Sequence, residues 1–522
     1  MIAGTHARAQ STLVVALNSF VEDSLDPSLV GGSTAPILLP QIFDYLTMLS
    51  PNNRIVPGLA SSWKVSDDGK QWTFTLRKDV KFHNGDPVTA EDVVYSFERQ
   101  RGPKAFRSRW GFFIKGNITT IEAPDPHTVV VNMKEPAPDM LRIVGPTYGG
   151  VEIVPKKYLQ SVGDDGFVKK PVGSGPYRLV SHEPGVKIVY EAQKSHPFRP
   201  KPGFDRLVLL NIPEESTRIA LLQRGEAQLT SVSPDRASDI RGDLELRVVS
   251  GAYQVGIAYW MPWVNKDAAL ANTKVRQALA HAVDANAIIK GMYSGRGSPS
   301  LGWGVFQASE FADPKRPSMQ PLKYDPELAR RLLKEAGAAN PEVKLYSISG
   351  DGIAPELPKL ATVVADYWSK VGAKVEIVSQ EMGEFRAGYR AAAKGKDTDA
   401  ASKRIGNIAS TFRLPAILDI GFLCANAQGY WRSNGTSPFV NDPRVDKLCT
   451  EAMVGATEQD RNAKLHEVYD ILRTNLGGGF AITDTPALWA VNKKTVGAWK
   501  PIEAYGIGLG VIFETIQPAK KG

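Results

Sequence analysis

The sequence predicts an α/β protein built from several units, and three observations carry that reading. The chain has 522 residues, which at roughly 100 to 200 residues per domain fill two to four units whose cores need no metal or disulfide. Its patterning changes near residue 260, from short period-two runs before that point to apolar residues at helical spacing after it. A strand, a helix and a second strand then follow in order over residues 343–379, a βαβ unit whose strands should lie parallel through a right-handed crossover.

Thr12 to Asn18 reads as the first strand. Trp72, Phe74 and Leu76 alternate with Thr73, Thr75 and Arg77, the signature of a half-buried strand, and Val80-Lys81-Phe82 is expected to continue it past a corner. A helix should begin at Thr89, a good N-cap followed by acidic Glu91 and Asp92, with Val93, Val94 and Phe97 facing inward. Strands are expected over Thr128 to Met133, Lys187 to Ala192 and Arg206 to Ile212. In the later half Val275, Ala278, Leu279, Ala282 and Val283 recur at helical spacing. So do Leu328, Leu332, Leu333 and Ala336, after an Asp325 cap and Pro326 and before a closing Gly337. Val343 to Ser349 reads as a strand, Pro358 to Val371 as a helix and Lys374 to Ser379 as its parallel partner. No long Ser/Gly linker separates the halves, so short crossovers should join them.

Composition is that of an ordinary globular chain, with 43% hydrophobic and 23% charged residues, which excludes disordered, collagenous and disulfide-scaffold classes. No run reaches the roughly 18 apolar residues of a spanning helix, the best, Ala416 to Ala427, being broken by Asp419. Lys and Arg (63) only modestly exceed Asp and Glu (55), and no basic block exists that could follow phosphates, which argues against nucleic acid as a partner. Ala7-Arg8-Ala9 before Gln10 fits the small-x-small pattern of a secretory cleavage site, although the upstream regions of a signal peptide are missing. The two cysteines, Cys424 and Cys449, suit either one disulfide in an exported protein or two buried thiols in a cytosolic one.

Catalytic signatures are scarce. Metalloprotease, nucleophile-elbow, redox and phosphate-loop motifs are absent, and the seven histidines include no i,i+4 pair, so neither cofactor nor metal is expected. Ser61-Ser-Trp-Lys64 matches the Ser-x-x-Lys of penicillin-recognising enzymes but lacks its companion motifs, which makes it a chance match. Aromatics are more informative: Tyr253, Tyr259, Trp260 and Trp263 crowd together, while Trp110 and Trp303 sit among Gly and Arg rather than in clean apolar periodicity. Ordinary core packing is one reading of them and a ligand cleft with flat walls is the other.

The segment from Gly58 to Ser96, which contains Trp63, Trp72, Phe82-His-Asn-Gly85 and Thr89-Ala-Glu-Asp-Val93, closely resembles the signature of the family 5 solute-binding proteins of ABC importers. Further motifs in the same order extend the likeness over nearly the whole chain: Leu25-Asp26-Pro27, Pro171-Val-Gly-Ser-Gly-Pro-Tyr177, Ser216-Thr-Arg218, Val275-Arg-Gln-Ala-Leu279 and Tyr324-Asp-Pro-Glu-Leu-Ala329. The resemblance implies a two-lobe periplasmic-binding-protein fold with a hinge and an extra β-rich subdomain on the first lobe. Residues 1–9 would be a leader remnant, 10–44, 173–258 and 483–522 lobe I, 45–172 the extra subdomain, and 259–482 lobe II. It implies no catalysis, a small-molecule ligand, a membrane permease as partner, a monomer, and residence in the periplasm. The signature itself is expected to be structural, with Trp63, Trp72, Phe74, Leu76 and Phe82 in the core and Gly69 and Gly85 in turns.

Ligand contacts carry over from the resemblance at two places. Gly31-Gly32-Ser33-Thr34 occupies the loop whose backbone pairs with an extended peptide in oligopeptide receptors, which have an acidic residue where Gly31 stands. Arg404-Ile-Gly-Asn407-Ile-Ala-Ser410 aligns with an Arg-x-Gly-Trp-x-Ala-Asp pattern in which Arg meets a ligand carboxylate and Asp holds the peptide ammonium. Here Arg404 is kept, but Asn407 and Ser410 replace the Trp and the Asp. A free-amine dipeptide should then bind weakly unless another carboxylate, with Asp419 as the candidate, takes over. Arg413 is a second cation, and Trp110, Tyr259, Trp260 and Trp303 are candidate cleft walls. Peptide-like, opine-like and sugar-phosphate ligands all fit this set. The export context also implies a Cys424 to Cys449 disulfide.

Overall fold

The computed structural model describes residues 11–20, 24–29, 35–50, 54–102, 117–137, 140–146, 150–260, 269–302, 305, 312–349, 354, 356–381, 407–412, 442–453, 457–476, 478–501 and 512–520. β1 (Thr12–Leu17) opens the chain, and β2 (Thr47–Leu49) and β3 (Ile55–Pro57) form a small ribbon. β4 (Ala60–Val65), β5 (Gln71–Leu76), β6 (Ile118–Asp125) and β7 (Thr128–Met133) make an antiparallel sheet of order β4-β5-β7-β6. The remaining strands are β8 (Tyr177–Glu183), β9 (Lys187–Ala192), β10 (Arg206–Asn211), β11 (Leu229–Val232), β12 (Leu244–Trp260), β13 (Ser298–Pro299), β14 (Glu342–Ser349), β15 (Lys374–Glu381), β16 (Asn407–Phe412) and β17 (Gly478–Asn492). With β1 they form one eleven-stranded sheet of order β15-β14-β16-β12-β17-β11-β1-β10-β9-β8, with β13 lying on β17.

Apolar alternation accounts for the four-stranded sheet. Trp72, Phe74 and Leu76 are buried on one side of β5 and Val129, Val131 and Met133 on β7, the cross-strand partners being Trp72 with Val131 and Phe74 with Val129. Val80-Lys81-Phe82 does not continue the sheet. It makes one bridge, Lys81 to Pro87, because Asn84-Gly85 turns the chain back at once, and Gly85 takes the positive φ of 93° that glycine permits. Val80 and Phe82 are nevertheless buried, whereas Trp63 is only partly covered at the edge of the core. The helix Ala90–Arg101 starts where its cap predicts: the Thr89 amide donates to Asp92 Oδ2 at 2.9 Å in a capping box. Val93 and Phe97 are buried beneath it, Val94 only in part.

The Pro171–Tyr177 motif also has a packing reason. A Cβ on Gly173 would come within 2.1 Å of the Ile42 carbonyl, and the Gly175 amide donates to that carbonyl at 2.7 Å, so two glycines let one backbone lie directly on another.

In the later half the expected βαβ unit is present. β14 and β15 pair in parallel from Glu342–Lys374 to Ser349–Glu381, with the helix Leu357–Lys370 between them in sequence and Leu360, Val364 and Trp368 of that helix fully buried. The helices Thr273–His281 and Pro326–Glu335 follow their predicted spacing, the second capped by Asp325, whose Oδ1 accepts the Leu328 amide at 2.8 Å. Long, interrupted strands join the two halves. β12 runs antiparallel to β17, first from Leu244–Asn492 to Val249–Ala487 and then, after a shift, from Tyr253–Thr485 onward. Across that shift β12 advances four residues and β17 only two, so the extra residues form a bulge in β12.

Candidate functional site

Two sets of parallel strands aim their carboxyl ends at this passage. β1 is parallel to both β10 and β11, and β14 is parallel to both β15 and β16. In open α/β sheets ligands bind off the carboxyl ends, where strand order reverses. Here β1 leads into a turn at Asp26–Leu29, β11 into the short 3-10 helix Pro234–Asp239, and β14 into the helix Leu357–Lys370. The last two meet across the passage: Lys359 Nζ lies 3.2 Å from Asp235 Oδ2, and the Ser294 hydroxyl reaches the Pro234 carbonyl at 3.5 Å. Burial would raise the Asp235 pKa, but the Ser233 hydroxyl and Lys359 outweigh it and hold the carboxyl below its usual range.

Beside the bulge a carboxylate is shared by two phenols. The hydroxyls of Tyr253, on β12, and Tyr293 each donate to Glu356 Oε1 at 3.1 Å, and all three residues are buried. Burial and then the Glu356 charge push the Tyr293 phenol far above its ordinary pKa, so it acts as a donor at any physiological pH. In the turn that follows β1, the buried Asp26 carboxylate accepts a two-armed bond from Arg99, Nη1 to Oδ1 and Nη2 to Oδ2, both 2.7 Å, while Oδ1 also takes the Ser28 amide and hydroxyl at 2.9 Å. Sequence reading missed Glu356, Asp235, Lys359 and Arg99. None lies in a recognisable motif, and only their spatial neighbours give them meaning.

Of the residues expected at the site, Asn407 and Ser410 lie on β16, opposite Ala258 and Val255 of β12, with Asn407 also opposite Tyr346 of β14. Tyr259 and Trp260 are the last two residues of β12. The strand ladder therefore brings these four positions to the same stretch of sheet. Gly32, Ser33, Thr34, Trp110, Trp303, Arg404, Arg413 and Asp419 lie outside the described residues, as does Cys424, while Cys449 is buried in the helix Pro443–Met453.

Residues 54–428 match the model of the bacterial extracellular solute-binding proteins, family 5. The chain belongs to this family. It is thus a solute-binding receptor of the kind that serves ABC importers. A dipeptide-binding protein of Escherichia coli is 30% identical over 63% of this chain, and the match spans 64% of that relative's length. Among solved structures, the Helicobacter pylori periplasmic binding protein DppA, in complex with the peptide STSA, superposes with a TM-score of 0.80 at 22% identity, covering 98% of this chain and 99% of that one. The binding protein AgaA of A. tumefaciens R10, in complex with agropinic acid, gives the same TM-score, identity and coverage. Both establish the mixed α/β fold of periplasmic binding proteins for this receptor.

Two other features of the receptor are structural. A cavity of about 460 Å³ lies on the four-stranded subdomain, lined by Phe82, Thr89, Asp125 and Lys156 among others. Its acidic groups are occupied internally, since Asp92 closes the capping box and Glu91 pairs with Lys156 at 3.0 Å. A buried charge network ties the stretch around Asp44 to Glu514, near the last described residues. Arg199 donates to Glu514 at 2.8 Å and to Asp44 at 3.2 Å, and Asp44 also meets His196 Nε2 at 3.0 Å and the Ser174 hydroxyl at 2.8 Å. Burial alone would raise the Asp44 pKa; His196, Arg199 and Ser174 outweigh it and bring it down to about 2. Among the described residues no helix is long and apolar enough to cross a membrane.

Proposed function

We propose that the protein captures a peptide-like or opine-like small molecule between two lobes in the periplasm and delivers it, chemically unchanged, to a membrane permease. The observation that supports this most is the register of β16, which sets Asn407 and Ser410 beside the interrupted crossing strand β12. On this reading lobe I and lobe II exchange between open and closed arrangements about the bulge at residues 250–252 of β12. A ligand that touches both lobes only when closed shifts that equilibrium.

Gly32, Ser33 and Thr34 would offer backbone and hydroxyl groups from lobe I. Arg404, Asn407, Ser410 and Arg413 would do so from lobe II, with Trp110, Tyr259, Trp260 and Trp303 as walls. Ser410 stands where dipeptide receptors carry an aspartate, and stranding one partner of a buried ion pair costs about 3–5 kcal/mol. A ligand with a free ammonium therefore needs Asp419, or it binds poorly, and an anionic, oxygen-rich ligand is favoured. Agropinic acid, bound in the complex of the similar protein AgaA, has that chemistry. The second reading, a sugar phosphate, rests on the same cationic and hydroxyl groups.

Native mass spectrometry of the purified protein tests the proposal. It should find one small anion per monomer, returned intact on denaturation. A turned-over product would refute receptor function, and a free dipeptide would refute the role given to Ser410. We also propose the Cys424 to Cys449 disulfide, which would stabilise by roughly 3–4 kcal/mol in the chain-entropy model. Two thiols titrating in the unreduced, unfolded chain would exclude it.

A further inference from the structure

We infer that Glu356 is a positioning residue for closure: by holding Tyr253 and Tyr293 on one oxygen it sets Ser294 and Lys359, which make two contacts from the later half of the chain to the 3-10 helix Pro234–Asp239. This rests on the exchange between open and closed arrangements proposed above. The three residues come from separate elements. Tyr253 is the first residue of β12 to pair again after the shift, opposite Thr485 of β17. Tyr293 follows the helix Ala285–Met292 and leads toward β13, which lies on β17 at Asp484 and Thr483. Glu356 stands at the N-cap of the helix Leu357–Lys370, yet its side chain caps none of that helix's amides and is turned to the two phenols instead.

Burying a carboxylate is costly, and apolar packing of the same volume would stabilise as well or better. What a shared oxygen adds is direction, because each hydroxyl must approach it within the narrow geometry of a hydrogen bond. Each arm of the cluster then leads to a contact. Beside Tyr293, Ser294 takes a φ of 51°, which few residues other than glycine adopt, and its hydroxyl reaches the Pro234 carbonyl at 3.5 Å. That turn is closed by the Gly295 amide on the Ile289 carbonyl at 3.0 Å and the Arg296 amide on the Tyr293 carbonyl at 2.8 Å. One helical turn after Glu356, Lys359 Nζ lies 3.2 Å from Asp235 Oδ2. A long hydrogen bond and a half-exposed ion pair are each weak, which suits an arrangement that must reopen. Their combined worth depends on both arriving at Pro234 and Asp235 together, and Glu356 governs both from one place.

Amide hydrogen exchange and small-angle scattering on the full chain, without added ligand, test this. The variant Y253F/Y293F/E356L removes the donors together with the acceptor and strands no buried polar group. In it the Arg236, Ile240 and Gly295 amides should exchange about two- to fivefold faster, the worth of such weak contacts, while those from Val364 to Trp368 are unchanged. K359A/S294A should give the same acceleration at Arg236 and Ile240, and the two sets combined should add nothing further, since residues acting through one another are not additive. E356Q, which keeps an oxygen for both phenols, should behave like the wild type, as should the control Y45F, which removes a phenol from the buried Glu152. The radius of gyration should grow in the same order. If the triple variant does not fold, Y293F alone should accelerate Arg236, and that effect should vanish in an S294A background. Unchanged exchange at residues 236–240, additive effects of the two sets, or an E356Q as disturbed as the apolar triple would each overturn the inference. A radius that is constant in every variant, with the exchange pattern as expected, counts against the open and closed arrangements proposed above and not against the positioning by Glu356.

Discussion

Two junctions in the molecule are built from different chemistry. The first is held by buried charges, Asp26 with Arg99 and Asp44 with His196 and Arg199, with both carboxylates fully covered. The second, at the crossing strands β12 and β17, consists of two irregular strands and an exposed pair, Asp235 with Lys359, whose side chains are 36% and 56% exposed. A buried network breaks only at large cost, whereas an exposed pair is worth little and is screened by salt. The first junction is suited to staying shut and the second to opening.

The strongest way to break this contrast is to remove a charge from the buried network. Arg199→Met leaves Asp44 and Glu514 without their guanidinium and should cost about 3–5 kcal/mol in urea unfolding. A loss under 1 kcal/mol would show that this junction is no firmer than the other.

Proton linkage gives the next largest effects. Burial lowers the His83 pKa from 6.5 to about 4, only partly offset by its bond to the Gly175 carbonyl. The unfolded chain therefore binds the extra proton first, and stability is lost as pH falls from about 6.5 to about 4, by up to about 3 kcal/mol. Glu152 works in the opposite sense. Burial raises its pKa from 4.5 to about 7 even though Tyr45 donates to it at 2.8 Å, so stability is lost as pH rises through that range. Glu152→Gln keeps an acceptor for Tyr45 and should raise the unfolding free energy above pH 7, measured against the wild type at pH 5.

Arg404→Ala should weaken an anionic ligand by about 1.5–3 kcal/mol in calorimetry, the worth of a charge-assisted bond, while leaving the unfolding midpoint in place. The smallest effect is expected at the opening junction. Lys359→Ala should change unfolding by no more than about 1 kcal/mol, yet shift the ligand-free population toward the open form in small-angle scattering, an effect that high salt abolishes in the wild type.

Much of the fold was legible because burial leaves a period in sequence. Trp72, Phe74 and Leu76 on β5, the Thr89 cap and the Asp325 cap all encode local structure in local residues, and the helical spacing from Val275 to Val283 did the same. The crossing strands were less legible, since a bulge in β12 opposite β17 depends on residues more than 200 positions apart. The candidate site divides in the same way. The family pattern marked Arg404 and Ser410, whereas Glu356 and Lys359 acquire neighbours only when β14 and β11 are brought side by side with the crossing strands. Nothing in the sequence marked Arg99, because its partner Asp26 is 73 residues away.

Strand order carries a consequence for biogenesis. β17, the last strand among the described residues, fills the gap between β11 and β12, and Glu514 follows it to complete the network at Arg199. A nascent polypeptide emerging from the ribosome therefore cannot finish its main sheet until residues 478–492 have been made, nearly the whole length after β1. Contacts this distant in sequence form late and slowly. The main sheet is thus completed only late in synthesis, whereas the four-stranded sheet, whose strands all lie between Ala60 and Met133, needs none of that later chain.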